Sequence, residues 1–461
     1  MSADPTPQTI VRPPEPAPTR RLGLFARRRV RPVVASVVAL ACALVIAGLG
    51  YFVIYPQVDA YFRERRAREE IENYDFAAAR ADLERCLRIR PNSAELHFLL
   101  ARTCRRAGDL DAARGHLSEA KRLSWVAEEI RLEYLLLQAQ AFLVPRVEQP
   151  LREYLERGAA EETLILEALA DGSLAINRLS DAQRWTSIWI RRHPDDWHGH
   201  YWQGRVYDAG LRYTLAAEEF QKVLQTNPGY REAHLRLAVN LFKDNRFDEA
   251  VPHFDKYLEG DPHDPYALLG LARCQRILGQ PDVAVATLER VIATETDYVP
   301  ALALRGQLEL DRDNPEGALV WLRRAYKLNP SYKAANQAMA AALTLLGKGQ
   351  EAQRYARRGR EIELAYVRVD ALTKQSLTDP TDVATRREAG AILFELGHRQ
   401  EALRWLVGAL LLDPNDQETK KALRQCLHQL GDPDLEERYG PVLEDRATEL
   451  SPDRTEQGTS R

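Results

Sequence analysis

The sequence predicts an all-α protein, a solenoid of short helix pairs preceded by one membrane-spanning helix. Three observations carry this. Small residues, aromatics and prolines recur at a 34-residue period over most of the chain. Twenty-three uncharged residues run from Val33 to Tyr55, and charge is divided unevenly around them. At ~150 residues per domain, 461 residues would suggest about three domains, but repeats add length without new cores. With 45% hydrophobic and 28% charged residues, wholesale disorder and a polytopic membrane protein are both excluded. A formal charge of −3 excludes a uniformly basic nucleic-acid binder.

Residues 1–32 hold seven arginines against Asp4 and Glu15, a balance of +5, with seven prolines and few large apolar groups. Such a segment cannot offset its ordering entropy by burial, so it reads as a disordered cytoplasmic tail whose arginines suit anionic headgroups. At 1.5 Å per residue, Val33–Tyr55 makes a helix of ~34 Å, enough for a hydrocarbon core of ~30 Å. Tyr51, Phe52 and Tyr55 suit the headgroup zone, and Pro56 follows. The stretch is too long for a cleavable signal peptide and lacks an Ala-x-Ala exit, so an uncleaved signal anchor is expected. A lipid-modified Cys42 fits poorly, because thirteen more apolar or small residues follow it. Ala35, Ala39, Ala43 and Ala47 form a small-residue stripe suited to self-association.

Six arginines lie between Arg20 and Arg31, whereas Arg63, Arg65, Arg66 and Arg68 are mixed with Glu64, Glu69 and Glu70. The N-terminus is therefore expected inside. The remainder, with a formal charge of −7 beyond residue 60, would lie on the extracytoplasmic side, in the periplasm of a bacterium. Arginine outnumbers lysine 54 to 10, a bias associated with high-GC bacterial genomes.

The repeat is clearest between 197–230 and 231–264. Both segments are 34 residues long and share a small residue in the eighth slot (Gly204, Ala238), alanine in the twentieth (Ala216, Ala250), phenylalanine in the twenty-fourth (Phe220, Phe254) and proline in the thirty-second (Pro228, Pro262). Small residues let two amphipathic helices, A and B, approach closely, and the aromatic fills the space beside them. Proline then stops helix B. Gly210, Asn245, Gly279, Asn314, Gly347 and Gly397 mark the A–B turns. The register continues through 265–298, 299–332 and 333–366, is interrupted by about sixteen residues in a longer helix through Arg360–Ser376, and resumes at 383–416, with a half-unit at 417–430. Upstream, Ala79, Leu83, Cys86 and Pro91 form half a unit and 94–127 a full one, while 128–195 diverges, with Pro145 and Pro150 expected to break an extended helix.

This pattern resembles the tetratricopeptide repeat (TPR) family over roughly residues 61–445. The family's tryptophan in the fourth slot is absent from the clear units. The resemblance implies a right-handed α-solenoid with these divisions: tail 1–32, signal anchor 33–55, partly degenerate units 61–195, regular units 196–366, C-terminal units 367–445 and a polar tail 446–461. It also implies partner binding through helix A on the concave face. Carrying the family's groove slots (second, fifth, ninth, twelfth) onto this chain selects His198, Tyr201, Arg205 and Asp208; Glu232, Leu235, Val239 and Phe242; Tyr266, Leu269, Arg273 and Arg276; and Glu95, Phe98, Arg102 and Arg105. Aromatics beside guanidinium groups suit an extended peptide with acidic residues. The lysine–asparagine clamp that some members use for C-terminal carboxylates has no counterpart at Tyr201, Arg205, Leu235 and Val239.

No motif for zinc hydrolysis, phosphate cradling, dinucleotide binding, a serine nucleophile or a Cys-x-x-Cys pair occurs, so neither catalysis nor a cofactor is expected. Cys86, Cys104, Cys274 and Cys426 fall at helix-packing slots and read as buried thiols; a Cys86–Cys104 disulfide is the alternative. His198 and His200 near Asp195 and Asp196 have metal-ligand chemistry, but residues two apart on a helix point about 200° from each other, which favours separate roles. The expected function is a membrane-anchored scaffold for a protein or peptide partner. A cytoplasm-facing receptor for targeted or secreted polypeptides and an accessory subunit of an enzyme complex are the alternatives.

Overall fold

A computed structural model describes residues 36–43, 45, 48, 50–431, 435, 439 and 443. The expected tails at 1–32 and 446–461 lie outside these residues, as do residues 33–35, 44, 46, 47 and 49 of the expected anchor. Residues 36–43, 45 and 48 are helical, and a π-helical turn, Gly50–Ile54, follows. Among the described residues, no helix is long and apolar enough to cross a membrane.

The described chain is all helical and divides into two compact units, Met1–Asn92 and Ser93–Arg461. In the first, α1 (Tyr55–Glu72) packs against α2 (Phe76–Ile89). The second begins with α3 (Ala94–Arg106), α4 (Leu110–Arg122), α5 (Ala127–Gln138), α6 (Val144–Glu156), α7 (Glu162–Ala175) and α8 (Leu179–Arg192). It continues with α9 (Trp197–Ala209), α10 (Tyr213–Thr226), α11 (Arg231–Lys243), α12 (Phe247–Leu258), α13 (Pro265–Ile277), α14 (Pro281–Thr294) and α15 (Val299–Asp311). It ends with α16 (Pro315–Leu328), α17 (Lys333–Leu345), α18 (Gly349–Thr378), α19 (Val383–Glu395), α20 (Arg399–Leu412) and α21 (Gln417–Leu430). The thirty-residue α18 absorbs the register interruption expected through Arg360–Ser376.

Local chemistry sets the ends of many of these helices. Side chains of Ser93, Asp109, Asp196, Asp264, Asp382 and Asp416 accept backbone N–H bonds at the start of the following helix. The A–B turns need one left-handed residue, supplied by Gly279, Gly347, Gly397 and Asn245 as expected. Elsewhere the turn sits one residue away from its marker: Leu211 (φ 59°) rather than Gly210, and Asp313 (φ 55°) rather than Asn314. Asn314 instead caps α16 by accepting from Gly317 N at 3.0 Å. The break expected near Pro145 takes the form of a π-helical turn, Ala139–Leu143, between α5 and α6, so that Pro145 occupies the first turn of α6 and needs no intrahelical donor; Pro150, in contrast, is accommodated inside α6 without ending it.

Within each pair, the small eighth-slot residue meets the large twenty-fourth-slot side chain. A Cβ added at Gly204 would lie 2.8 Å from Phe220, at Gly306 2.5 Å from Leu322, and at Gly390 2.7 Å from Leu406. Phe220 and Phe254 are fully buried, each contributing about 1.5–3 kcal/mol. Neighbouring A helices touch one another (α7–α9, α11–α13, α13–α15, α15–α17), while successive B helices approach less closely. The A helices therefore form the inner wall of the curve.

The second unit also meets itself across 197 to 210 residues. Arg386 of α19, fully buried, donates to the carbonyls of Ile176 (2.8 Å) and Asn177 (3.1 Å) in the α7–α8 turn, and to Pro380 O (3.0 Å). Ser180 Oγ donates to Leu377 O at 3.1 Å. A side chain at Gly408 would collide with Ile176 O at 2.5 Å, so glycine permits the approach.

Candidate functional site

The inner wall of the second unit is laced from one A helix to the next by charge. Glu133 of α5 accepts from Arg105 at 2.5 Å and Arg102 at 3.3 Å, both from α3. Arg105 also reaches Gln140 (2.7 Å), which donates to Asp171 of α7 (2.6 Å). Arg106 holds Glu167 with two bonds of 2.8 and 2.9 Å. Further along, Lys243 meets Asp208 at 2.6 Å, and Arg276 grips Asp311 at 2.6 and 3.0 Å. Burial works against the Glu133 charge, yet Arg105 and Arg102 hold its carboxyl below the usual range. At Asp171 burial prevails and pushes the carboxyl up, against the pull of Arg205 and Gln140.

This lacing revises the expected groove. Arg105, at 0% exposure, is a structural cation inside the wall, not a surface for a partner. Phe98 (3%), Tyr201 (6%) and Leu235 (8%) are packing residues. Phe98 stacks on Trp125, and Tyr201 meets Phe220 and Tyr230 edge-on. Arg102 lies over the Phe98 ring and on Glu133, and Arg276 is committed to Asp311. His198 binds Asp196 at 2.5 Å and stacks on Trp197, whereas His200 binds Glu219 at 2.6 Å, so the two histidines do have separate partners. Among the described residues, no group of three His, Cys, Asp or Glu could hold a metal. The thiols of Cys86, Cys104, Cys274 and Cys426 are buried.

Two of the expected arginines are held more loosely. Arg205 stacks over Trp202 at 4.1 Å, its side chain is 33% exposed, and Asp171 is 3.9 Å away. Arg273 donates to a neutral partner, the Tyr332 hydroxyl, at 3.0 Å. Val239 and Phe242 are half-buried, and Phe242 meets Phe247 edge-on. Tyr266 stands 51% exposed. The structure adds two residues that the slot rule misses, Tyr298 and Tyr332. Each directly precedes an A helix, and Tyr298 shares a neighbourhood with Arg273, Tyr332 and Tyr266. Burial pushes the Tyr298 phenol up, with Arg273 opposing. Their signal was present in the sequence, since Tyr298, Tyr332 and Tyr366 recur at 34 residues. The wall thus offers guanidinium groups on aromatic surfaces, which can take a carboxylate and an apolar side chain of an extended segment together.

On the A–B interface of two pairs, histidines face each other. His234 and His253 approach Nδ1 to Nδ1 at 2.9 Å, and His97 and His116 at 3.1 Å. One ring must donate and the other accept, so a pair cannot keep this bond with both rings protonated. Burial pushes His234 down, with Lys256 adding and the Pro228 carbonyl and Glu259 opposing; burial and His234 push His253 down, with Glu249 opposing. Such bases bind fewer protons folded than unfolded, so stability should fall as pH drops below about 6.5. Between pH 7 and 5 the urea midpoint of the wild type should fall, and a His234→Leu/His253→Leu chain should lose part of that dependence.

Comparison with known proteins agrees with this architecture. One tetratricopeptide repeat model matches residues 70–123 and 241–308, and another matches 168–231. Over these residues the chain carries tetratricopeptide repeats. It is 27% identical over 286 residues to cellulose synthase operon protein C of Pseudomonas fluorescens (strain SBW25), a match covering 60% of this chain. The chain spans only 20% of that protein's length. It is 28% identical to the peroxisomal targeting signal receptor of Pichia angusta, over 24% of this chain and 19% of that protein. A solved tetratricopeptide repeat protein from Parabacteroides merdae ATCC 43184 is 18% identical, covering 62% of this chain and 99% of its own, with a TM-score of 0.33.

Proposed function

We propose that this protein is a non-enzymatic, membrane-anchored scaffold that binds a protein or peptide partner on its inner wall, on the extracytoplasmic side of a bacterial membrane. The observation that carries it is the wall itself, with Arg205 on Trp202, and Arg273 among Tyr266, Tyr298 and Tyr332. A partner with acidic and apolar residues in alternation fits that chemistry. Anchoring rests on the uncharged run Val33–Tyr55, and sidedness on the arginines between Arg20 and Arg31. The relative named for a cellulose synthase operon favours a second reading, an accessory subunit of an enzyme complex whose catalytic chain is separate.

Pull-down with the intact chain tests the wall. Arg205→Ala/Arg273→Ala should lower partner recovery at least several-fold relative to wild type, and unchanged recovery would refute the site. For sidedness, a reporter fused to the C-terminus should be active outside the cytoplasm. Cytoplasmic activity would favour a receptor for targeted polypeptides instead.

A further inference from the structure

The first unit is built on one helix with two unlike faces. Ala60, Ala67 and Ile71 of α1 are buried, and α1 packs against α2, whose Ala79, Leu83 and Cys86 are buried in turn. The Cys86 thiol donates to Ala60 O at 3.2 Å. On another face, Ile54, Val58, Tyr61 and Phe62 recur at i, i+4, i+7 and i+8, a single apolar stripe. They are 59%, 47%, 63% and 61% exposed, and with Gln57 they line a shallow concavity of about 440 Å³. Tyr51 and Tyr55, stacked at 6.3 Å, carry the stripe back into the uncharged run, where Val37, Val38, Leu40 and Val45 are also exposed.

The polarity of this face changes abruptly. One turn beyond Phe62 it presents Arg65 and Glu69, whose side chains are 72% and 67% exposed. Exposure is high on both sides of the step; only the chemistry differs. A helix that leaves large apolar groups open up to one residue, and charges from the next turn onward, is patterned for two solvents that meet there.

We propose that the stripe Ile54–Phe62 lies in the headgroup layer of a lipid bilayer and seats the first unit on the membrane surface. This rests on the anchor reading above. At 1.5 Å per residue, Val58 to Phe62 lie about 5–10 Å beyond Tyr55, comparable with a headgroup layer of about 5–8 Å. Tyrosine and phenylalanine suit that layer through ring area and, for tyrosine, a polar tip. Lipid contact here is apolar and not phosphate binding by the adjacent arginines. Arg63 is committed to Asp59 of its own helix (2.6 Å) and to Asp82 (3.0 Å), and Arg66 to Asp82 (2.6 Å); the bonds to Asp82 clamp α1 to α2.

The test uses the full chain in a Cys42→Ala background, reconstituted into phosphatidylethanolamine/phosphatidylglycerol vesicles, with one nitroxide at a time on Val58→Cys, Phe62→Cys, Arg65→Cys or Glu69→Cys. The remaining cysteines are buried and should not label. Collisions with oxygen should dominate at 58 and 62, and collisions with a water-soluble nickel chelate at 65 and 69, so that the ratio inverts across one turn. If 58 and 62 behave like 65 and 69 in chains that float with the vesicles, the inference fails while the anchor stands. Spin–spin broadening at 62 that disappears on dilution with unlabelled chain would assign the stripe to a second copy and overturn it. A chain that does not float with the vesicles refutes the anchor, and the inference with it.

Discussion

Replacing Glu133 with alanine should destabilise the second unit by about 3–5 kcal/mol, because it strands a buried cation. Arg105 has no exposed surface, and its Nε bond goes to Glu133. Without that carboxylate the guanidinium keeps Gln140 as a neutral acceptor and must pull in water or distort α3. Urea denaturation should show the loss, while Glu119→Ala, which removes an exposed pair with Arg122, should leave the midpoint unmoved. The acid limb gives a second check. Glu133 is held below its ordinary value, so its contribution is present above the unfolded value of about 4.3 and is lost as pH falls through the folded one. Glu133→Gln should lower stability at pH 7 and flatten the dependence below about pH 4.5. A variant as stable as wild type at pH 7 would mean that the pair is not what holds α3 to α5.

Arg386→Met should cost about 3 kcal/mol and loosen two regions that are distant in sequence. Methionine conserves much of the buried volume but returns no hydrogen bond to Ile176 O, Asn177 O or Pro380 O, and each unmet buried carbonyl costs about 1–3 kcal/mol. The cation also faces the C-terminal end of α7, where the helix dipole favours positive charge. Burial pulls the guanidinium down to about 10, so it remains charged at neutral pH and cannot escape its cost by deprotonation. Amide hydrogen exchange should accelerate at residues 174–180 as well as around 380–386, with α11–α15 unaffected. Acceleration confined to the neighbourhood of residue 386 would show that the bonds to the α7–α8 turn contribute nothing to stability.

The helix pairs were legible because their chemistry is local and repeated. Gly204 with Phe220 and Gly306 with Leu322 state the A–B approach in two letters at a fixed spacing, and the structure places those side chains against each other. Turn positions were legible only to within one residue, since Leu211 and Asp313 accept a left-handed conformation that glycine or asparagine next door would take more cheaply. The site was less legible. A slot rule names a position on helix A but not what the neighbouring unit puts opposite it. Arg105 and Arg276 occupy equivalent slots, yet one faces Glu133 at 2.5 Å and is sealed, while the other reaches Asp311 at 2.6 Å with its side chain 31% exposed. The bonds from Arg386 to Ile176 and Asn177 carry no local signature, because nothing at residue 386 encodes what lies 210 residues away.

Those bonds change how the array should come apart. A stack held only by adjacent neighbours frays from its ends, each unit leaving at its own modest cost. Here the departure of α19 also uncovers the turn after α7, so loss at the C-terminal end is felt near the beginning of the second unit. Truncation from that end should therefore behave less like shortening a rope than like cutting a hoop. The first unit removed costs the most, and the span between the two joined regions gains its slack in one step.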